Sequence, residues 1–452
     1  MHECDKKTRF TCSWIFNILV VLCDGKVVCG CADPYGERPL GNVRYNTLLE
    51  IFNSDLVKQI RSELNEGHSC FCDNCGMKRI LREDEEIPQG KEHVDILPRI
   101  FIEPTVLCNL NCYKSVCNHD SGIIHTRSRM YFPLEEFKPV IDGGAKTLNR
   151  IDFFNYGDPF VHKDAAEMIA YVKEHYKGIY VYTSTNGLML DDEKIKKIVA
   201  SGLDEITFSV DGGDQESYSK YRQGGDFNKV LEIMRKMVIE RNKQGREVPF
   251  INWRYILFNW NDGDKQMKRA KKLAEKIGVD RFTWEITDHP VDAKSEKYQW
   301  GTQHWKKIFY EIWDTNQLGN GIKKKRYLAK LKTKEKSITV KAGEEGVGLD
   351  VKIKNTGGGL WWKSTWSGRR YVRLGVQLYD ENKNLLDNDF CSVGLNKNLA
   401  YKEKDVLRVT IPKIETPGRY LLKLDPVMEF KDWNAWFESG GSSPLWLQIN
   451  VL

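Results

Sequence analysis

Cysteine is almost absent from the last three quarters of this chain. Eleven of its 12 cysteines lie at or before Cys117, and Cys391 is the exception. Such crowding excludes an even scatter of small core residues and points to staples or metal at one end. Long apolar runs are lacking too. The stretch Trp14–Leu22 is interrupted by Asn17 and falls far short of the roughly 20 residues needed to cross a bilayer. A charged, cysteine-bearing segment precedes it and no small-residue cleavage site follows, so it lacks the flanks of a secretory signal. The cytoplasm is the expected location. Disulfide frameworks need an oxidising compartment, so metal ligation is the better account of the cysteines. Nor does one sign of charge dominate. Lys and Arg total 69 against 63 Asp and Glu, a net charge of +6 that implies no nucleic-acid partner. The densest basic run, from Lys323 through Lys336, reads as a solvated helix or linker.

What is present divides into parts. A chain of 452 residues suggests two to four domains, at roughly 100–200 residues each. Residues 1–90 are rich in cysteine and turns. Residues 95–290 alternate strands and helices, 291–337 form a polar and basic connector expected to carry helices, and 338–452 are β-rich. The middle part has candidate strands at Arg99–Thr105, Arg150–Asn155, Ile179–Thr183, Glu205–Val210, Asn252–Leu257 and Arg281–Ile286. Helical spacing separates them, as in Phe227, Val230, Leu231, Met234 and Val238, and in Ala165, Met168, Ile169 and Val172. Alternation of this kind means parallel pairing through right-handed crossovers. Six units are too few for a closed eight-unit barrel, so the expected fold is α/β, a partial (β/α)6 TIM-like barrel. Its chemistry would sit at the C-terminal ends of the strands. The last part alternates with period two, as in Val372, Leu374, Val376 and Leu378, and in Leu445, Leu447, Ile449 and Val451. An antiparallel β-sandwich is expected there.

The first predicted barrel strand runs into Cys108-Asn-Leu-Asn-Cys112-Tyr-Lys-Ser-Val-Cys117. Three thiolates in one loop can hold three irons of a [4Fe–4S] cluster and leave the fourth open for a chelating cofactor. A structural zinc site with His119 as fourth ligand is the alternative. At this point the sequence resembles the radical S-adenosylmethionine (SAM) superfamily, over about residues 95–290. The family's spacing is Cys-x3-Cys-x2-Cys; here the second gap is four residues, and Val116 stands where the family tends to place an aromatic. The resemblance implies that Cys108, Cys112 and Cys117 hold the catalytic cluster. It implies that Gly157, Asp158 and Pro159 form the turn meeting the methionyl amine, with Asp in place of the family's Glu. Thr185 and Asn186 would lie on the ribose side, Ser209 and Asp211 on the ribose and carboxylate, and Arg222 on the SAM carboxylate. Arg254 through Asn261 and Asp262 resemble the family's fifth strand.

The N-terminal cysteines flank a hairpin signal at Asp24-Gly25 and a Cys72-x2-Cys75 knuckle, with Ser54 placed to cap a helix reaching Leu64. Residues 10–78 resemble the SPASM/twitch module, which carries auxiliary clusters and usually follows the barrel. That resemblance implies Cys12, Cys31, Cys72 and Cys75 as ligands of an auxiliary [4Fe–4S] cluster, with Cys23, Cys29 and Cys70 spare. A zinc knuckle is the alternative reading. Six of the 13 tryptophans fall in 338–452. They form either core packing or a sugar-stacking face, and the segment resembles β-sandwiches appended to polysaccharide-biosynthesis proteins. Together these resemblances imply a radical SAM enzyme of oxidoreductase type, using SAM and two clusters. Its substrate is expected to be a sugar, glycan or other small molecule, and its reductant a flavodoxin or ferredoxin. The alternatives are a SPASM-type peptide maturase and a non-catalytic carbohydrate-binding scaffold.

Overall fold

Short runs of β-branched and aromatic residues, each closed by a turn or a proline, set the first layer of the structure. The computed structural model describes residues 9–30, 33–67, 70–73, 75–80, 96–117, 119–299, 302–308, 328–357, 361, 363, 371–399, 402–429 and 434–452. The chain divides into two compact units, 1–309 and 310–452.

In the first unit, β1 (Phe10–Thr11), β2 (Ile18–Val21), β3 (Lys26–Val28), β4 (Gly41–Asn42) and β5 (Arg79–Ile80) belong to the cysteine-rich part. The barrel strands are β6 (Arg99–Ile102), β7 (Arg150–Asp152), β8 (Tyr180–Thr185), β9 (Glu205–Ser209), β10 (Phe250–Leu257) and β11 (Arg281–Ile286). These six pair in parallel and in sequential order. All six lie where the sequence predicts them, with ends shifted by a few residues; β6 stops short of Pro104, which has no N–H for a ladder. Between them run α4 (Leu134–Gly144), α5 (Ala165–His175), α6 (Asp192–Ala200), α7 (Gln215–Tyr221), α8 (Phe227–Lys243) and α9 (Asp264–Ile277). α8 buries Phe227, Val230, Met234 and Val238, and α5 buries Ala165, Met168, Ile169 and Val172, the stripes that the spacing marks out.

The barrel sheet does not begin at β6. β2 pairs with it in parallel, Ile18 opposite Arg99 and Val20 opposite Phe101, and carries β3 and β4 with it into one nine-stranded sheet. Every residue of β2 is buried, as befits a parallel strand covered on both faces. The Asp24-Gly25 hairpin connects β2 to β3, and Gly25 takes the positive φ of +88° that its turn needs. Ser54 caps a helix, α3 (Asp55–Glu66), after two short ones, α1 (Ser13–Asn17) and α2 (Leu48–Phe52). β1 pairs with β5, closing the ends of the module on each other.

Alternation along each strand sorts the side chains. Ile100, Ile151 and Val181 lie in one register row and face the helices; Arg99, Arg150 and Tyr180 lie in the next and face the barrel interior. The N-terminal end of that interior is plugged by charge. Asp152, fully buried, takes Arg99 at 2.5 Å and Arg150 at 2.7 Å, while Glu205 takes Arg281 and the Tyr180 hydroxyl at 2.6 Å. Each buried charge has its counter-charge, which is the condition for tolerating it.

The second unit is antiparallel apart from one edge. Its strands are β12 (Ala329–Lys332), β13 (Ser337–Val340), β14 (Val347–Asn355), β15 (Val372–Asp380), β16 (Leu385–Gly394), β17 (Lys404–Ile411), β18 (Gly418–Glu429), β19 (Asn434–Trp436) and β20 (Leu445–Val451). β12-β14-β17 form one sheet and β13-β20-β18-β15-β16 the other, with β13 parallel to β20. The alternating residues named from the sequence, among them Leu374, Val376, Leu447 and Ile449, form the common core together with Leu407, Val409 and Leu422. Trp361 lies in that core against Phe437, so it packs rather than stacks on solvent-borne ligands. Trp362, Trp366 and Trp433 lie outside the described residues. Among the described residues no helix is long and apolar enough to cross a membrane.

Candidate functional site

The C-terminal ends of the strands converge on the loop after β6. Thr105 anchors that loop, donating its hydroxyl to the Met130 carbonyl at 2.7 Å and accepting from the Leu107 N–H at 3.1 Å. Backbone bonds then tie the loop to its neighbours: Asp158 N–H to the Leu107 carbonyl, Asn111 N–H to the Gln223 carbonyl, and Tyr113 N–H to the Tyr221 carbonyl. Cys108, Cys112 and Cys117 thus sit in a framed loop. Burial raises all three thiols, Cys108 to about 12, and the charges of the neighbouring thiols add to it at Cys108 and Cys117. Arg222 opposes the rise at Cys112. Buried thiols that resist ionisation alone give up their protons to a cation that replaces them.

Gly157 is where the second strand end meets this loop. Its φ is +83°, and a Cβ there would lie 2.5 Å from the Thr105 carbonyl oxygen and 2.7 Å from that of Leu107. Both obstacles are backbone, so neither can swing aside. Gly157→Ala should therefore cost about 1–3 kcal/mol of strain at that turn, and should open the cluster loop. Faster amide exchange at Leu107 and Asp158, with lower iron retention, is the expected result; unchanged exchange would refute the close-approach argument.

Asp158 turns inward from the same turn. It accepts from the Thr185 hydroxyl at 2.8 Å, the Asn186 N–H at 2.8 Å and the Phe160 N–H at 3.1 Å. Burial pushes its carboxyl up and those bonds hold it down. Pro159 starts the short 3-10 turn capped by Asp158. Asn186 reaches back, its Nδ2 2.9 Å from Asn109 Oδ1 and 3.8 Å from Cys108 Sγ. Asp211, wholly buried, accepts from the Ile256 N–H at 2.7 Å and pairs with Arg222 Nε at 2.6 Å. Arg222 Nη1 then lies 3.6 Å from Cys112 Sγ. The structure so brings Asp158, Thr185 and Asn186 into one network and Asp211, Arg222 and Cys112 into another. Ser209 pairs with Ser184 at 3.2 Å and accepts from Arg254 at 2.8 Å. Val116 is 39% exposed. His289 and Asp288 pair at 3.0 Å with side chains at least 80% exposed, on the surface and outside the site.

The second thiol group lies in the N-terminal module. Cys12, Cys29, Cys72 and Cys75 line one pocket with Trp14, Ile15, Arg38 and Phe71. Burial raises the Cys29 thiol well above its usual range, and the charges of Cys12, Cys72 and Cys75 add to this. The Cys75 N–H bonds the Cys72 carbonyl at 3.0 Å and forms the predicted knuckle. Cys31 lies outside the described residues. Cys29, set aside as spare in the sequence reading, stands with the group. It directly follows β3, where the strand's alternation ends. Cys70 is exposed, and Cys23 is buried elsewhere, donating its thiol to the Arg129 carbonyl at 3.2 Å.

The donor sets suit iron–sulfur clusters, whose irons take thiolate ligands: three cysteines stand on the barrel loop and four line the N-terminal pocket. His119 Nε2 lies 3.4 Å from the Cys108 carbonyl oxygen. At the barrel site a buried donor is also left over, the Asn155 Nδ2 in the Gly157 turn, which has no hydrogen-bond partner. The Cys108 loop would hold the SAM-binding [4Fe–4S] cluster, and the N-terminal thiols the auxiliary one.

Comparison with known proteins agrees with this geometry. Residues 102–241 match the radical SAM superfamily, and residues 12–76 match the SPASM iron–sulfur cluster-binding domain. The chain is 28% identical over 132 residues to the AdoMet-dependent heme synthase of Nitratidesulfovibrio vulgaris, covering 28% of this chain and 35% of that one. It is 32% identical over 152 residues to the Fe-coproporphyrin III synthase of Methanosarcina barkeri, covering 33% and 36%. It is 28% identical over 139 residues to the mycofactocin maturase MftC of Mycolicibacterium smegmatis, covering 30% and 33%. The chain thus spans about a third of the length of each of these relatives. With the cysteine loop, the partial barrel and the second thiol group in place, these matches identify a protein that carries a radical SAM domain and, ahead of it in the chain, a SPASM iron–sulfur domain.

Proposed function

We propose that this protein is a radical SAM enzyme that abstracts hydrogen from a small-molecule or peptide substrate held in the barrel. The observation that carries the reading is the framed loop of Cys108, Cys112 and Cys117 with Arg222 against Cys112 Sγ. What a [4Fe–4S] cluster with an open iron supplies when bound is one electron to the SAM sulfonium, which yields methionine and a 5′-deoxyadenosyl radical. The protein's part is positional. Gly157 lets two strand ends meet, Asp158 locks the third, and Arg222 sets a positive charge beside one cluster thiolate. The charged plug of Asp152 and Glu205 fills the N-terminal end of the barrel interior. The electron donor would be a flavodoxin or ferredoxin.

Peptide maturation, the activity named for one relative, is supported by the SPASM match. A sugar or glycan substrate rests on the second unit alone. There Trp446, 37% exposed beside Tyr379, is the only tryptophan of that unit among the described residues that is more than a third exposed. The test is anaerobic reconstitution of the full chain, with iron and sulfide counted and 5′-deoxyadenosine assayed after SAM and dithionite. About eight irons per chain and nucleoside formation are expected; zinc in place of iron, or no nucleoside, would overturn the proposal.

A further inference from the structure

The barrel interior above the charged plug has two unlike walls. One is aromatic. Trp14 from α1, Phe101 from β6, Phe154 after β7 and Tyr182 from β8 form a file with ring centroids 5.2, 5.6 and 5.4 Å apart. The rings meet tilted or edge to face, at 39°, 65° and 79°, and Trp14, Phe154 and Tyr182 are only partly buried, so the file presents an apolar surface of ring faces and edges. The other wall is polar. Arg254 of β10 stands in register with Ser209 of β9 and donates to its hydroxyl at 2.8 Å. Its Nε lies 3.4 Å from a Glu285 oxygen, within ion-pair reach, yet that Nε has no hydrogen-bond partner.

Arg254 differs from the other arginines of the barrel. Arg99, Arg150, Arg222 and Arg281 each grip a carboxylate whose side chain is at most 7% exposed. Glu285 is 41% exposed, so this carboxylate, unlike theirs, is open to solvent, while the buried Arg254 Nε facing it makes no hydrogen bond. A pair at 3.4 Å with no hydrogen bond at its nitrogen is a weak one. The guanidinium fork is therefore held in place by Ser209 while its charge is weakly used. A planar fork in that condition suits a carboxylate or phosphate, which it can take through two parallel hydrogen bonds.

We infer that Arg254 anchors the substrate of this barrel by an anionic group, carboxylate or phosphate, while an adjoining apolar part packs against the Trp14–Tyr182 file. Glu285 is the counter-ion that yields when the anion arrives. The inference rests on the proposed function only in calling the bound molecule a substrate. Ser209 joins Arg254 to the strand ends around Asp211 and Arg222, and Trp14 also lines the pocket of Cys12, Cys29, Cys72 and Cys75. A molecule so held spans the interior between the two thiol groups. A neutral sugar would leave the guanidinium unused.

The experiment reads arginine accessibility, not SAM cleavage, so its failure is separable from failure of the radical chemistry. The reconstituted full chain, with and without SAM, is treated with phenylglyoxal, and modification of Arg254 is followed by peptide mass mapping. Inorganic phosphate and succinate are the probes, with chloride at matched ionic strength as control. Either probe should slow Arg254 modification about tenfold at saturation, with SAM already bound. Protection by phosphate alone would assign a phosphoryl group, and by succinate alone a carboxylate. In Glu285→Gln the half-protecting concentration should fall about twofold to fivefold, because a competing charge is gone. No protection by either probe, protection by SAM alone with nothing added by the anions, an unreactive Arg254, or an unchanged Glu285→Gln would each overturn the inference.

Discussion

Replacing Cys108, Cys112 and Cys117 together by alanine is expected to abolish 5′-deoxyadenosine formation and to lower bound iron from about eight to about four per chain. The three thiols belong to one loop, and no other described cysteine stands with them. Cys23 is turned to the Arg129 carbonyl and so does not substitute. The residual iron should be the auxiliary cluster, since Cys12, Cys29, Cys72 and Cys75 form a separate pocket. Cys29→Ser divides that second group further. It should remove the remaining iron from the triple variant while leaving the barrel iron in an otherwise unaltered chain. Loss of iron in Cys31→Ser but not in Cys29→Ser would give that corner to Cys31. Nucleoside formation that persists in the triple variant would remove the Cys108 loop from the chemistry altogether.

The sequence makes the barrel legible because its signals are local. Each strand from β6 to β11 is a β-branched or aromatic run between helical stripes, and parallel pairing in sequential order then follows from crossover rules. The cysteine loop is legible for the same reason, since spacing within ten residues needs no tertiary knowledge. What escapes is non-local. Ile18–Val21 is as apolar as an interior parallel strand must be, yet nothing in it names Arg99–Ile102 as its partner, so a strand of the cysteine module is not seen as part of the barrel sheet. Arg222 is recognisable as a cation near the site. That it pairs with Asp211 and faces Cys112 depends on how α7 leaves the barrel. Asp158 is likewise recognisable as the acid of a turn, whereas its engagement by Thr185 and Asn186 requires the next strand end to be in place. Arg254 had no signal beyond its strand. Its distinction is comparative, being the interior arginine whose carboxylate is exposed, and comparison of that kind needs coordinates.

Breaking the Glu103–Arg127 pair should be the most damaging single change away from the thiols. Both side chains have no solvent exposure, and the contact is two-pronged, Nε to Oε1 at 2.8 Å and Nη2 to Oε2 at 3.2 Å. The pair is also where the cysteine module and the barrel are fastened. Arg127 Nη2 donates to the Pro34 carbonyl at 2.8 Å, Glu103 accepts from the Cys23 N–H at 3.1 Å, and the Glu103 N–H bonds the Val21 carbonyl at 2.9 Å. Burial draws the guanidinium pKa down, and Glu103 more than restores it. Removing one partner leaves the other charged, buried and alone, which costs about 3–5 kcal/mol. Arg127→Met keeps the volume and removes the charge, so its cost is electrostatic rather than a cavity. Amide exchange in β2 and β6 should accelerate by the equivalent of that free energy, while exchange in β15 and β18 of the other unit stays as it was. The double variant Glu103→Gln/Arg127→Met should lose less than the sum of the two single changes, because no orphaned charge remains. Glu103 lies five residues before Cys108 and Arg127 ten after Cys117, so iron retention at the barrel site should fall in the single variants and partly recover in the double. Strict additivity would show that the two side chains stabilise the junction independently, and the ion pair would then not be what fastens the module to the barrel.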